Sequence, residues 1–424
     1  MKMTLSQHAS KNCGDIFGSV TKWDFIKFPF FCLTLFSLMF VLNCSGAKAH
    51  EIRGTASLQA RFYSNSPIHP GQEQNSFSIT AAPEYIHRFD DGSLFAFLPF
   101  VRLDSADPER THFDVRDLSY TWSKDAWEIR LGIRKEFWGV VESVNLVDII
   151  NQIDLVENPE SKDKLGQPMV NISFTHDWGT FDFFMLPYFR ERTFPGKRGR
   201  LRLGLVVDTD NPIYESSAEE NHIDFAFRYF HTIQNLDIGI SHFFGTSRDP
   251  QPRIGIKNGE LVIRPFYQQM KQTSVDLLLE TGSWIWKFEG IYRDTSTTLD
   301  YYALVGGVEY IFDGIWGTGM DLGLFLEYLY DERKGVELTV NEDDFLVGLR
   351  FAFNDLRLTS IQASAQIDRD TDTWFPVVKA STRLNSKWRL SLRYLGLVDQ
   401  PSDDVFFDLR DDDFFEIELI YYFY

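Results

Sequence analysis

Residues 414–424 read FFEIELIYYFY, and their alternation limits what the chain can become. Phe415, Ile417, Leu419, Tyr421 and Phe423 make one wholly apolar row. Glu416 and Glu418 begin the opposite row, which continues through Ile420, Tyr422 and Tyr424. In an extended chain successive side chains point to opposite faces, so this is a strand with one greasy side and one mixed side. About ten tilted residues suffice for a strand to cross a bilayer. As the exposed edge of a soluble sheet, the same segment would invite aggregation. The pattern predicts a membrane-spanning strand.

The rhythm repeats along the chain. Segments such as 284–293, 343–353, 357–367 and 388–397 each carry an apolar row against a polar one. Trp284, Trp286, Phe288 and Tyr292 oppose Lys287 and Glu289. Phe345, Val347, Leu349 and Phe351 oppose Gly348 and Arg350. About eighteen such strands can be counted, and the links between them alternate in length. Tight links, such as Asp90-Asp91-Gly92, Gln234-Asn235 and Gly282-Ser283, hold the residues a reversing backbone needs. Long polar links fall between them, with 313–320 longer than its class. The expected fold class is all-β: a transmembrane antiparallel β-barrel of about 18 strands (16–18), with long extracellular loops and short periplasmic turns. An even count puts both termini on the short-turn side.

The amino-terminal region fits export. Lys22 and Lys27 precede an apolar run over 28–42, and Ala47-Lys48-Ala49 supplies a cleavage site, so residues 1–49 read as a signal peptide. Residues 50–424 then form a single barrel domain. Cys13, Cys32 and Cys44 all precede the cleavage point, so the mature chain is expected to form no disulfide and to use no thiol chemistry. Beyond Ala49 no run of about 18 apolar residues marks a membrane helix. The whole chain carries a net charge of −19, and the predicted mature chain −22, since residues 1–49 hold five Lys and two Asp. Such acidity argues against nucleic acid as a partner. The 39 Phe and 17 Tyr suit aromatic girdles at the two membrane surfaces.

The apolar rows must meet lipid, because charge at the bilayer midplane costs about 2–4 kcal/mol. The polar rows then line the lumen, with Arg228, Arg350, Arg389 and Arg393 among them. A barrel of this size is too wide for wall side chains to fill. The connection at 139–167 is the candidate filler. Val144, Leu146, Val147, Ile149, Ile150, Ile153 and Leu155 are too apolar for a water-exposed loop. Packed on the inner wall, the segment would turn Glu142, Asp148 and Asp154 toward the pore, opposite Arg130 and Arg134 on the preceding strand. Carboxylates facing arginines at a constriction would filter solutes by charge and size. The alternative is that these charges solvate the loop or pair with one another. The basic stretch Arg190–Arg202 has three readings of its own: a site for lipopolysaccharide phosphates, an anion-attracting vestibule, or a solvated loop base.

Three resemblances bear on this reading. The closing aromatic at Tyr424 resembles the final strand of bacterial outer-membrane barrels, which implies recognition by the barrel assembly machinery. The position of the long segment after the fifth strand is similar to that of the inward loop of general porins, although their motif is absent. Leu131-Gly132, Arg134 and Phe137-Trp138-Gly139, followed by Asp148, Asn151 and Asp154, resemble the start of an uncharacterised family of proteobacterial outer-membrane proteins. That family is described as porin-like, with some members suspected of handling hydrophobic compounds. The expected function is a porin-like channel for passive diffusion of small solutes in the bacterial outer membrane, narrowed by the inward loop. The alternatives are a barrel for hydrophobic compounds or a closed structural or receptor barrel. Small solutes, outer-membrane lipid and lipopolysaccharide are the expected partners, and homo-oligomers are compatible with the pattern. The histidines are scattered and no nucleophile, phosphate-loop or EF-hand pattern occurs, so no enzyme activity, cofactor or metal is expected.

Overall fold

The computed structural model describes residues 49–160, 162–333, 343–371, 373–402 and 406–424. The signal peptide expected over 1–49 lies outside them, apart from Ala49, where the first strand begins. The strands run in chain order: β1 Ala49–Tyr63, β2 Asn75–Arg88, β3 Leu94–Asp104, β4 His112–Lys124, β5 Trp127–Arg134, β6 Gln167–His176 and β7 Gly179–Leu186. They continue with β8 Ile213–Tyr214, β9 Asp224–Ile233, β10 Leu236–Thr246, β11 Gln251–Lys257, β12 Glu260–Tyr267, β13 Gln269–Thr281 and β14 Trp284–Thr295. The last are β15 Tyr301–Phe312, β16 Asp321–Asp331, β17 Asp343–Ala352, β18 Ser360–Asp368, β19 Trp374–Arg383, β20 Trp388–Leu395 and β21 Phe414–Phe423.

All but β8, β11 and β12 join one 18-stranded sheet. Each strand pairs antiparallel with its neighbour, and β21 pairs back onto β1, with Leu58 opposite Leu419 and Gln59 opposite Glu418. The sheet is therefore a closed barrel, which removes the exposed edges. Period-2 alternation sorts the side chains. On β16, Leu324 and Leu326 are exposed on the outside while Phe325, Glu327 and Leu329 are buried inside. Leu58, Ile79 and Leu103 are each more than half exposed on the outer surface, an arrangement that lipid, not water, accommodates. Shorter and longer connections mostly alternate around the rims, although 313–320 and 353–359 on the short-turn rim are longer than 296–300 and 369–373 on the other, and both ends of the barrel lie on the short-turn rim.

Two features depart from the sequence expectation. The connection 246–269, expected as a polar loop, contains the hairpin β11–β12, whose second strand pairs parallel with β8. Its turn is Asn258-Gly259, with φ of 53° and 84°, the left-handed values such a reversal requires. The wall also has an irregular patch at β2–β3–β4. The β2–β3 ladder runs to Ala81↔Val101 and resumes at Tyr85↔Phe97, and the β3–β4 register shifts at Leu98/Pro99. Pro83 and Pro99 lack the N–H groups that a ladder uses here.

Candidate functional site

The connection between β5 and β6, residues 135–166, crosses the inside of the barrel. Its two stems are tied by Asn151. This side chain accepts from the Glu136 N–H at 2.8 Å and donates to the carbonyls of Arg134 and Leu165, each at 2.8 Å. Trp138, 5% exposed, packs edge-on against Phe184 of β7 with the Arg228 guanidinium 4.9 Å from its ring. Val147, Ile149 and Ile150 join that cluster, which includes Phe243, Ile291 and Tyr301 of the wall. Val141 packs with Val305, Phe325, Leu329 and Leu346 from β15, β16 and β17. The apolar residues of the segment thus find their partner in the inner wall, as burial of apolar surface demands.

Two buried wall carboxylates hold the backbone of the segment. Glu289 of β14 accepts from the N–H groups of Val140 at 2.7 Å, Val141 at 3.3 Å and Val147 at 3.2 Å, and from Asn145 Nδ2 at 3.1 Å. Glu327 of β16 accepts from Glu142 N–H at 2.7 Å and Ser143 N–H at 2.9 Å. Gly139, with φ of 128°, sits where a Cβ would meet Asn145, so the turn into this cradle requires glycine.

The second half of the segment is held on the opposite wall by charge. Arg102 of β3 grips Glu157 with two bonds, at 2.5 and 2.8 Å. Arg110, in the β3–β4 connection, donates to the Val156 carbonyl at 2.9 Å, and Arg61 of β1 to the Glu157 carbonyl at 3.1 Å. Burial alone would raise the Glu157 carboxyl; the bonds and charge of Arg102, with His112 and Arg110 nearby, bring it down to about 2. Lys379 of β19 meets Glu160 at 2.7 Å.

The expected site residues are distributed as follows. Glu142 lies 3.1 Å from Lys287 and 2.9 Å from Arg350. Burial pushes its carboxyl up, but these two cations leave it below its ordinary value. Asp148 faces Lys164 at 3.4 Å, and burial dominates, raising its carboxyl. Asp154, fully buried, accepts from Thr193 Oγ1 at 2.9 Å and lies 3.6 Å from His112 Nε2. Arg130 pairs with Glu128 beside it, and Arg134 lies 3.6 Å from Glu136. The three carboxylates and these two arginines are therefore not brought together among the described contacts. Arg228 pairs with Asp276, Arg389 donates to Ser381 at 2.6 Å, and Arg393 approaches Glu160 at 3.7 Å. Glu289 and Glu327, the acceptors for the segment, are the residues whose role the sequence left unassigned.

Between this segment and the connections of the long-loop rim lies a cavity of about 1060 Å3. Apolar side chains of the segment form part of its lining, with Leu201, Leu203 and Leu205 from the β7–β9 connection and with Phe375, Leu397 and Phe406; Leu201, Phe375 and Leu397 belong to one apolar cluster. Its carboxylates are all paired. Besides Glu142, Asp148 and Glu160, these are Asp249, with Arg192 at 2.8 Å and Arg293 at 2.9 Å, and Asp331, with Arg333 at 2.7 Å.

No family model and no curated protein matches the sequence. Among solved structures, Pseudomonas aeruginosa OpdQ is similar over 89% of this chain and 98% of its own, with a TM-score of 0.53 at 10% identity. The fold is that of a porin-like outer-membrane barrel. A mutant of the Rh. blastica porin aligns over 88% of this chain and 100% of its own, with a TM-score of 0.43 at 10% identity.

Proposed function

We propose that this porin-like barrel is a passive channel of the bacterial outer membrane for small solutes, with residues 135–166 as its constriction. The observation that carries the reading is the anchoring of one segment on opposite walls, by Glu289 and Glu327 on one side and Arg102 on the other. A solute passing through would have to go around it. The charge pairs of Glu142 with Lys287 and Arg350 then stand at the narrowing as a field of both signs. In this reading the outward apolar rows contact lipid, lipopolysaccharide meets the long-loop rim, and the last strand through Tyr424 engages the assembly machinery.

The test is single-channel conductance in planar bilayers for the protein purified from expressing cells, beside a variant lacking residues 144–155. Steady conductance that rises on deletion supports an open pore narrowed by the segment. No conductance in either protein, despite a folded barrel, refutes the channel.

A second reading has one specific observation behind it. The apolar lining contributed by Leu201, Leu203, Leu205, Phe375, Leu397 and Phe406 suits a hydrophobic solute better than a sugar or ion.

A further inference from the structure

The two readings converge on the chemistry of the cavity, and the charges on its lining do not balance. Its five carboxylates, Glu142, Asp148, Glu160, Asp249 and Asp331, each have a cation within 4 Å. Among the described residues two lining cations, Lys162 and Arg202, have no carboxylate that close. Lys162 Nζ donates only to the carbonyls of Glu142, at 2.9 Å, and Ser143, at 2.5 Å. Arg202 is 7% exposed and its Nη1 donates to the carbonyls of Leu203, at 2.8 Å, and Gly204, at 3.0 Å. Its Nε is buried with no hydrogen-bond partner. Carbonyl dipoles solvate a guanidinium only in part, and an orphaned N–H on a buried cation costs free energy until an acceptor arrives. Burial lowers the affinity of the Arg202 guanidinium for its proton, although Asp408, Asp412 and Asp107 farther off pull the other way.

We infer that the cavity receives amphipathic organic anions: molecules with an apolar body against the Leu201–Leu205 and Phe375–Phe406 surfaces and one anionic head at Arg202 or Lys162. This rests on the channel reading for how such a molecule arrives, but not for whether it binds. A chain of net charge −19 would repel anions from its surface, so a cation with no carboxylate in contact is needed to admit one. The apolar body supplies affinity through burial, and the head supplies selection by sign.

The test uses the protein in lipid nanodiscs with octanoate, octyltrimethylammonium and acetate as probes. Displacement of a fluorescent fatty-acid analogue reads binding, and planar-bilayer current reads occlusion. Octanoate should compete at roughly tenfold lower concentration than either other probe, since the cation lacks the head and acetate the body. Arg202→Gln should weaken octanoate by roughly tenfold and leave octyltrimethylammonium unchanged. Lys162→Gln, in the exposed part of the segment, provides a variant that does not disturb a buried site. Equal competition by octanoate and the octyl cation, or octanoate binding unaltered in both variants, overturns the inference. Selective binding without conductance upholds it and refutes the channel; conductance without selective binding does the reverse.

Discussion

Glu289→Ala is the sharpest probe of what holds the segment across the barrel. The wild-type carboxylate is fully buried and accepts from three backbone N–H groups and one amide side chain, all belonging to residues 140–147. Alanine leaves those donors without their acceptor. A buried donor left unsatisfied costs about 1–3 kcal/mol. Val140, Val141 and Asn145 line the cavity, so water can reach part of the gap, and the low end applies. Three backbone groups at about 1 kcal/mol each give roughly 3 kcal/mol, or on the order of 100-fold in the equilibrium between docked and released segment. Glu289→Gln keeps one oxygen but turns an NH2 toward a donor, and should open the segment by about tenfold. Hydrogen exchange of a peptide covering 139–147, followed by mass spectrometry in nanodiscs, measures this directly. Exchange should accelerate in the order wild type, Gln, Ala, with barrel peptides unchanged. If Glu289→Ala leaves exchange at 139–147 as in wild type while the barrel stays folded, the carboxylate is not what docks the segment.

Three further outcomes are expected. Glu157→Gln removes the charge from the pair with Arg102; breaking a buried pair costs about 3–5 kcal/mol, so residues 155–160 should become cleavable by proteases that do not cut the wild type. The folded Glu157 carboxyl lies at about 2, below its unfolded value, so its contribution is complete above the ordinary carboxyl range and disappears as pH falls toward 2; pepsin cleavage of this segment should appear over that interval and not at pH 5. Gly259→Val forces a β-branched residue to a φ of 84° and should cost about 1–2 kcal/mol of hairpin stability, read as faster trypsin cleavage at Lys257 with no change in barrel unfolding.

The wall was legible because its signal is local. A period of two needs only neighbouring residues, so Trp284–Trp286 outward and Lys287–Glu289 inward followed from sequence, and so did the closure of β21 onto β1 through its length and apolar row. The β11–β12 hairpin had an equally local signal, Asn258-Gly259 between Ile254, Ile256 and Leu261, Ile263, and was lost within a connection read as polar. The basic stretch 190–202 shows a different limit. Arg190 pairs with Asp114, Arg192 with Asp249 and Arg200 with Asp412, partners distant in sequence, so a dense run of charge on the page is largely neutralised in the fold.

The same limit governs the site. That Val144, Leu146 and Ile150 need cover follows from composition, and the only cover within reach of a segment rooted between two adjacent strands is the inner wall. Which wall residues meet which charge depends on how far the segment travels before it turns. Arg130 and Arg134 precede it and are its natural counter-charges in sequence, yet Asn151 closes the stems beside them; Glu142 is carried past to Lys287 and Arg350, Asp148 meets Lys164 of the segment itself, and Asp154 meets Thr193 and His112. Glu289 and Glu327 were harder still, because their partners are backbone amides, which every residue but proline carries and no sequence pattern marks. A carboxylate in a lumen reads as a filter for solutes; here two of them serve first as acceptors for the chain itself. Among the described residues lining the cavity, Lys162 and Arg202 are the cations with no carboxylate in contact, and no local pattern marks them, because the pairing of every charge around them is set by partners distant in sequence.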